Sequence, residues 1–394
     1  MKILRVITSM QPSKGGPAQG IRNSIPYLQK AGVINDVVCM DNEDCNYGTN
    51  DEFTIYKVGQ GKTAYLYQPK LLNWLIINAL NYDFIFSHGI WQYNNLAVYK
   101  ALKILKGKYA KVPKIIIMPH GMLDPYFQNA PDRKWKAIRN KIMWSLIEKK
   151  CLNEAAAIFY TCKEEMELAA TTFKGYNVKR AINVGYGIAE PPLNSLKFTE
   201  AFYDKCSKVK NKRYLLFLSR IHQKKGLDIL LKAYLELSNN NISLPDLVVA
   251  GPHDSDYAEE MISLASNHPQ IHFPGMLMGD SKWGAFYNCE AFILPSHQEN
   301  FGIAIVEAMA CKKPVLISKN VNIWREIEAG GGGLVVDLKE KNCLKMALLS
   351  LIGLSQEELN DKGIKSYETY QASFNIKVCT DKFINTLKKL ITDI

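Results

Sequence analysis

The chain has 394 residues, 47% of them hydrophobic and 22% charged, with lysine and arginine outnumbering aspartate and glutamate 49 to 38. That length suits two domains of about 150–200 residues rather than one core, and the composition excludes a disordered or fibrous chain. No apolar run reaches the ~18 residues that a membrane-spanning helix needs, no export signal opens the sequence, and the formal charge of +11 calls for an anionic partner: a phosphorylated small molecule, a membrane surface or nucleic acid.

The first predicted strand is KILRVI (2–7), and the loop TSMQPSKGGPAQG (8–20) follows it directly. Gly15 and Gly16 lead into Pro17, a good first residue for a helix. Adjacent glycines let backbone N–H groups come close to a ligand, and a helix start adds partial positive charge, so this loop is either a phosphate cradle or a plain strand-to-helix turn. A helical pattern runs from Ile21 to Lys30. Strands are then predicted at DVVCM (36–40), DFIFS (83–87), KIIIM (114–118) and AAIFYT (156–161), with a helical stretch from Trp91 to Leu105. His88 and His120 each end a strand and precede a glycine, in FSHGIW and MPHGMLDPY. Lone histidines are more often structural than catalytic; of the two, His120 is the better candidate for a crevice.

GQGKTA (59–64) follows a strand-like run, FTIYKV, and matches G-x-G-x-x-A. It lies outside the first strand–helix unit, and Tyr56 stands where a P-loop needs glycine, so it reads as a loop. Periodicity is lost in VGYGIAEPPLNSLKF (184–198), which places a hinge near Tyr186 to Leu193. Strands resume at RYLLFL (213–218), DLVVA (246–250), IHF (271–273), AFILP (291–295) and PVLIS (314–318). This alternation predicts an α/β chain of two doubly wound, Rossmann-like domains that face each other across a crevice at the carboxyl ends of their strands.

The second half carries the denser chemistry. Arg220 follows a strand, and Lys225 sits five residues on at a helix start, an arrangement suited to a diphosphate. Glu299 precedes the apolar helical run FGIAIVEAMA, and Glu307 lies inside it, where an unpaired carboxylate is costly. Both carboxylates can accept hydrogen bonds from vicinal hydroxyls; the plain alternative is a helix-terminus charge for Glu299 and a neighbouring cation for Glu307. HDSD (253–256) contains a DxD, read as the cap of a helix beginning near Tyr257 rather than a metal site. The nine cysteines are scattered singly, as in a reduced cytoplasmic protein, and no Cys/His pair has zinc-ligand spacing.

Taken together, these segments resemble the family-four retaining glycosyltransferases, which have the GT-B fold. PSHQENFGIAIVEAMACKKPVLIS resembles the family's E-x7-E signature, SRIHQKKG its diphosphate clamp, and SKGGPA its first glycine loop. MPHGMLDPY resembles a version common in bacterial surface-polysaccharide enzymes. Lys312 replaces the family's usual glycine, and GYG (185–187) its usual Asn-Gly hinge.

The resemblance implies an acceptor-binding domain over 1–188, a nucleotide-sugar-binding domain over 189–372, and a C-terminal helix over 373–394 that crosses back to the first domain. It implies that Glu307 binds ribose and that Glu299 meets the donor sugar with backbone N–H groups of Phe301, Gly302 and Ile303. Arg220 and Lys225 would hold the two phosphates, with Gly15 and Gly16 reaching across. The base would lie near Gly251, Met276 and Leu277, and His120 would approach the donor sugar. The implied reaction is a metal-independent, retaining transfer from a nucleoside-diphosphate sugar to a glycan or polyprenyl-diphosphate-linked acceptor, with no further cofactor. Its setting would be bacterial surface-polysaccharide synthesis in the cytoplasm, at the inner face of the plasma membrane. The rivals are a sugar-nucleotide epimerase or phosphorylase, a dinucleotide-dependent enzyme, and a nucleic-acid binder, for which no recognition motif is found. The basic charge concentrates in residues 100–114, with six lysines and no acid, and 133–150, with seven basic residues, one glutamate, Trp135 and Trp144. These segments are either solvated amphipathic helices or a face that rests on an anionic membrane.

Overall fold

A computed structural model describes residues 1–130, 133–240 and 242–392. The chain divides into two compact units: Met1–Gly187 together with the C-terminal segment from Cys379, and Ile188–Val378. Each is a parallel sheet covered by helices.

In the N-terminal unit the strands are β1 (Lys2–Ile7), β2 (Ile34–Cys39), β3 (Ile55–Lys57), β4 (Phe84–His88), β5 (Lys114–Met118), β6 (Ala157–Tyr160) and β7 (Ala181–Asn183). They are ordered β3-β2-β1-β4-β5-β6-β7. The C-terminal unit has β8 (Tyr214–Leu218), β9 (Asp246–Ala250), β10 (Ile271–Gly275), β11 (Ala291–Leu294), β12 (Val315–Ser318) and β13 (Gly333–Val336), ordered β10-β9-β8-β11-β12-β13. All the pairings are parallel. Central strands such as β1, β4, β8 and β9 are apolar nearly throughout because both faces are covered.

Sequence periodicity finds ten of these strands, marks β3 only as the strand-like run FTIYKV, and does not place β7 or β13. All three lie at the ends of their sheets, and their residues are mostly half-exposed. At three or four residues each, they are too short for a clear alternation to stand out. The GQGKTA segment is a loop after β3, closed by a bridge between Lys62 and Tyr67.

On one face of the first sheet, Leu71 and Leu75 pack with Ala97, Ala101 and Leu105. On the other, Phe86 and Phe159 meet Phe383, Leu387 and Leu390 of the helix Ile376–Thr392. Phe383 lies 5.3 Å from Phe86 and 5.7 Å from Phe159, centroid to centroid. The C-terminal segment therefore supplies part of the N-terminal unit's core. All nine cysteines are free thiols. Among the described residues, no helix is long and apolar enough to cross a membrane.

Candidate functional site

Each sheet has one place where successive connections leave in opposite directions. In the N-terminal unit it lies between β1 and β4, and in the C-terminal unit between β8 and β11. Loops following such a pair splay apart and leave room for a ligand at the carboxyl ends of the strands. Arg220 lies just beyond β8, and Glu299 follows β11.

In the C-terminal unit, a tight backbone contact fixes these two loops together. Gly226 has a φ of 69°, and a Cβ there would come within 2.0 Å of the Pro295 carbonyl oxygen. The neighbouring Lys224 carbonyl accepts a hydrogen bond from His297 N at 2.7 Å. This junction brings Lys225 Nζ into an ion pair with Glu299 Oε2. On the other side Glu299 N donates to Asn320 O at 3.0 Å, and Asn322 N donates to Glu299 O at 2.9 Å. Lys225 thus holds the carboxylate, and backbone hydrogen bonds on the other side fix the residue that carries it.

Gly302, with a φ of 76°, turns the chain into the helix Ile303–Ala310. The first turn of that helix leaves the N–H groups of Ile303 and Ala304 without intrahelical acceptors. Phe301 is buried against Phe374, so its side chain serves packing. Glu307 is not enclosed by the apolar helix. Its side chain is 15% exposed, and Lys282 Nζ donates to its Oε1 at 2.8 Å. The cation is therefore already in place, and Glu307 does not wait for a ligand to complete that bond. Oε2 has no hydrogen-bond partner among the described residues. Sequence reasoning missed Lys282. The ammonium lies 4.1 Å from the Trp283 ring centroid, and a lone Lys-Trp in a helix carries no signal of its own.

Arg220 is exposed and has no ion-pair or hydrogen-bond partner among the described residues. Gly251 packs so closely on Ser219 that a Cβ would sit 2.1 Å from its carbonyl oxygen, and its N donates to Gly275 O at 3.0 Å. The loops after β8, β9 and β10 are thereby joined. Met276 is exposed, whereas the Leu277 side chain is buried. Ser255 caps the helix Asp256–Leu264 by accepting from Ala258 N, so the HDSD segment does act as a helix start.

In the N-terminal unit, Gly15 is the N-cap of the helix Gly16–Lys30 with a φ of 94°. A Cβ at Gly15 or Gly16 would meet nothing within 4 Å, so these backbone amides are open. His120 ends the turn after β5 with a φ of 52°, and Gly121 N donates to the buried carboxylate of Glu165 at 2.6 Å. His120 Nε2 lies 2.9 Å from Nδ1 of the buried His88. His88 Nε2 in turn lies 3.4 Å from Arg5 Nη1, and Arg5 Nε donates to Asn35 Oδ1 at 3.1 Å.

Donor counting fixes the protons along this chain. A guanidinium only donates, so His88 Nε2 accepts and His88 carries its proton on Nδ1. That proton goes to His120 Nε2, leaving the His120 proton on Nδ1. Burial, helped by the Arg5 charge, pushes His120 down to about 4, and burial with its charged neighbours lowers His88 well below the usual value. Both rings are neutral, and His120 presents an N–H donor rather than a base. Arg5 itself is lowered only to about 10 by burial, so it stays charged.

Beside this chain is a cavity of about 470 Å³ at the ends of β1, β2 and β4. Its polar lining includes Ser9, Gln11, Asn42, Gln60 and Gln92 with Asp41 and His88, and among the described residues it has no lysine or arginine. Asp41 Oδ2 accepts from Met10 N at 2.8 Å and from the Tyr47 hydroxyl. Such a surface suits an uncharged, hydroxyl-rich ligand.

The two units thus each present polar groups at one edge of a doubly wound sheet, in one case amides and hydroxyls with Asp41, in the other cations and carboxylates. Residues 199–366 match the family described as Glycosyl transferases group 1. The D-inositol 3-phosphate glycosyltransferase of Arthrobacter sp. (strain FB24) is 29% identical over 168 residues, 38% of this chain and 38% of that protein. The O-antigen chain mannosyltransferase B of Escherichia coli is 25% identical over 184 residues, 45% of this chain and 46% of its own length. The chain thus spans less than half the length of these two curated relatives. HepE of Anabaena, solved in complex with UDP and glucose, superposes with a TM-score of 0.74 at 17% identity, covering 99% of this chain and 100% of that one. At that identity the likeness concerns the fold.

Two outcomes follow from this geometry. Gly226→Ala combines a positive φ with a backbone clash, and it is expected to destabilise the C-terminal unit by well over about 1 kcal/mol, read as a lowered denaturation midpoint. The histidines impose a pH dependence. In the unfolded chain each titrates near about 6.5, so below that pH the unfolded state binds protons that the folded state refuses. Stability contributed by the neutral pair therefore falls as pH drops from about 6.5 toward about 4. Melting curves across that window should show a smaller acid loss for the His88→Gln/His120→Gln variant than for wild type.

Proposed function

We propose that this chain is a retaining glycosyltransferase that moves a sugar from a nucleoside-diphosphate donor to a hydroxyl of a glycan or lipid-linked acceptor. The observation that carries this reading is the set Arg220, Lys225–Glu299 and Lys282–Glu307 at the β8/β11 switch point, inside the segment that matches the glycosyltransferase family. The solved complex of HepE with UDP and glucose, and the mannosyltransferase relative, support a nucleotide-sugar donor and a surface-polysaccharide setting.

In this reading Arg220 and Lys225 bind the diphosphate, and Glu307 binds ribose hydroxyls through its Oε2. Glu299 and the N–H groups at Gly302 and Ile303 orient the sugar, and the base lies by Gly251 and Met276. In the N-terminal unit, the open amides of Gly15 and Gly16 and the His120 Nδ1–H are donors suited to phosphate and sugar oxygens. The bond from the anomeric carbon to the diphosphate oxygen breaks as the bond to the acceptor oxygen forms on the same face. The acceptor proton passes to the departing phosphate oxygen. Negative charge grows on the leaving group, and fixed cations and amides stabilise it where it grows. That role needs no metal. The amide-lined cavity of the N-terminal unit receives the acceptor's sugar end.

The donor site is tested by thermal denaturation with UDP, GDP, ADP, CMP and dTDP in the presence of EDTA. One nucleotide is expected to raise the melting temperature by mass action. Arg220→Ala removes a charge-assisted contact and should weaken that ligand by roughly 10- to 100-fold; Glu307→Ala should abolish the shift. A response to NAD alone would instead favour a dinucleotide enzyme.

The same reading includes contact with an anionic membrane. The helix Lys134–Met143 and its continuation Trp144–Glu148 expose Trp135, Ile138, Ile142 and Leu146, at 84%, 50%, 54% and 73%. These positions follow helical spacing and form one apolar stripe, flanked by Lys134, Lys136, Arg139, Lys141, Lys149 and Lys150. Trp144 does not join the stripe: it is buried against Phe173. Flotation with vesicles containing phosphatidylglycerol should retain the wild type at low salt and lose Trp135→Ser/Ile142→Ser. Equal recovery of both, or no binding at low salt, would remove the membrane from the reading.

A further inference from the structure

A second cavity, of about 280 Å³, lies in the N-terminal unit and shares Gln92 and Met122 with the amide-lined one. Its character is different. Trp91 and Phe127 form aromatic walls, and Arg133 and Arg139 bring two guanidinium groups. No carboxylate lines it among the described residues. The Arg133 guanidinium sits 4.8 Å from the Phe127 ring centroid, and its Nε is buried without a hydrogen-bond partner. Arg139 is held from one side only, through Nε and Nη2 contacts of 3.3 and 2.9 Å to Asn140 Oδ1. Glu148, a buried acid bonded to the Trp91 backbone, is turned to other work: its oxygens accept from Trp91 N and Asn95 Nδ2, and burial pushes it up to about 7.

Two cations sharing a cavity repel each other, and a buried N–H with no acceptor costs free energy. Both costs are relieved by one kind of ligand: an oxyanion that accepts from two guanidinium forks. A diphosphate has the charge and the oxygens to bridge them, and the aromatic walls suit an apolar continuation beyond it. Arg139 also lies on the helix that carries the exposed apolar stripe. We infer that the Arg133/Arg139 cavity is a second anion site that binds the diphosphate group of the acceptor, while the sugar attached to it occupies the neighbouring amide-lined cavity. The inference rests on the proposed function only for the identity of the molecule that bears the diphosphate.

The test is calorimetric titration of the intact chain with farnesyl diphosphate, inorganic pyrophosphate and farnesol. Farnesyl diphosphate is expected to bind wild type, and Arg133→Gln and Arg139→Gln are each expected to weaken it about 10- to 100-fold. Arg220→Ala, which disables the proposed donor site, should leave that binding unchanged, and the two arginine variants should keep the wild-type nucleotide response. That retained response shows that they fold, and it separates failure of this site from failure of the donor reading. Farnesol without affinity establishes that the diphosphate is recognised. Pyrophosphate binding as tightly as farnesyl diphosphate, with the same arginine dependence, assigns the site to the free anion rather than a lipid. Binding that survives both arginine substitutions, or that disappears only with Arg220→Ala, overturns the inference.

Discussion

Everything in this chain follows from parallel strand pairing. Parallel neighbours cannot be joined by a hairpin, so each strand is followed by a crossover that returns over the sheet. All the carboxyl ends then lie on one edge, and the loops that leave them carry the polar groups. Where the order changes direction, at β1/β4 and β8/β11, two such loops diverge. Arg220, Lys225 and Glu299 meet at the second of these points, and the glycine loop and His88 lie at the first. The helices and cores are what hold these edges still.

Within the C-terminal site, charges differ in how they are committed. Lys225 and Lys282 are paired with Glu299 and Glu307, whereas Arg220 is unpaired among the described residues. Pairing orients these half-buried carboxylates without a ligand. On the proposed reading, a diphosphate would meet one cation that is unspent and another that it must share with a glutamate. Affinity in such a site depends on how much of the existing ion pair survives, so the Arg220 contribution is the cleaner one to isolate.

The fold was legible because buried central strands are apolar on both faces, and that pattern survives in one dimension. The edge strands β7 and β13 were not, and β3 showed only as a strand-like run, since all three are half-exposed and short. Among site residues, the motif-bearing Arg220, Lys225, Glu299 and Glu307 could be named because they follow strands or interrupt an apolar run. Their partners could not. Lys282 reaches Glu307 from 25 positions away, and Arg5 reaches His88 from 83, through pairings that only the sheet creates. Arg5 sits inside KILRVI, where a lone arginine looks like an edge-strand charge, yet it is buried and sets which nitrogen of His120 carries the proton. Trp144 misled for the opposite reason: it shares a basic segment with Trp135, but the helical turn sends one to the core and the other to solvent.

The N-terminal unit also shows why net charge is a poor guide until it is placed. Among the described residues the large cavity near His120 has no cation in its lining, the smaller one beside it has two, and the helix bearing Arg139 turns an apolar stripe outward between lysines. The order is amide- and hydroxyl-lined, then cationic, then apolar. A free sugar phosphate uses the first two environments and leaves the third exposed to water, at the usual cost of exposed apolar surface. A sugar linked through a diphosphate to an isoprenoid uses all three in its own covalent order. That match between the sequence of environments and the sequence of chemical groups favours a lipid-linked acceptor over a soluble one.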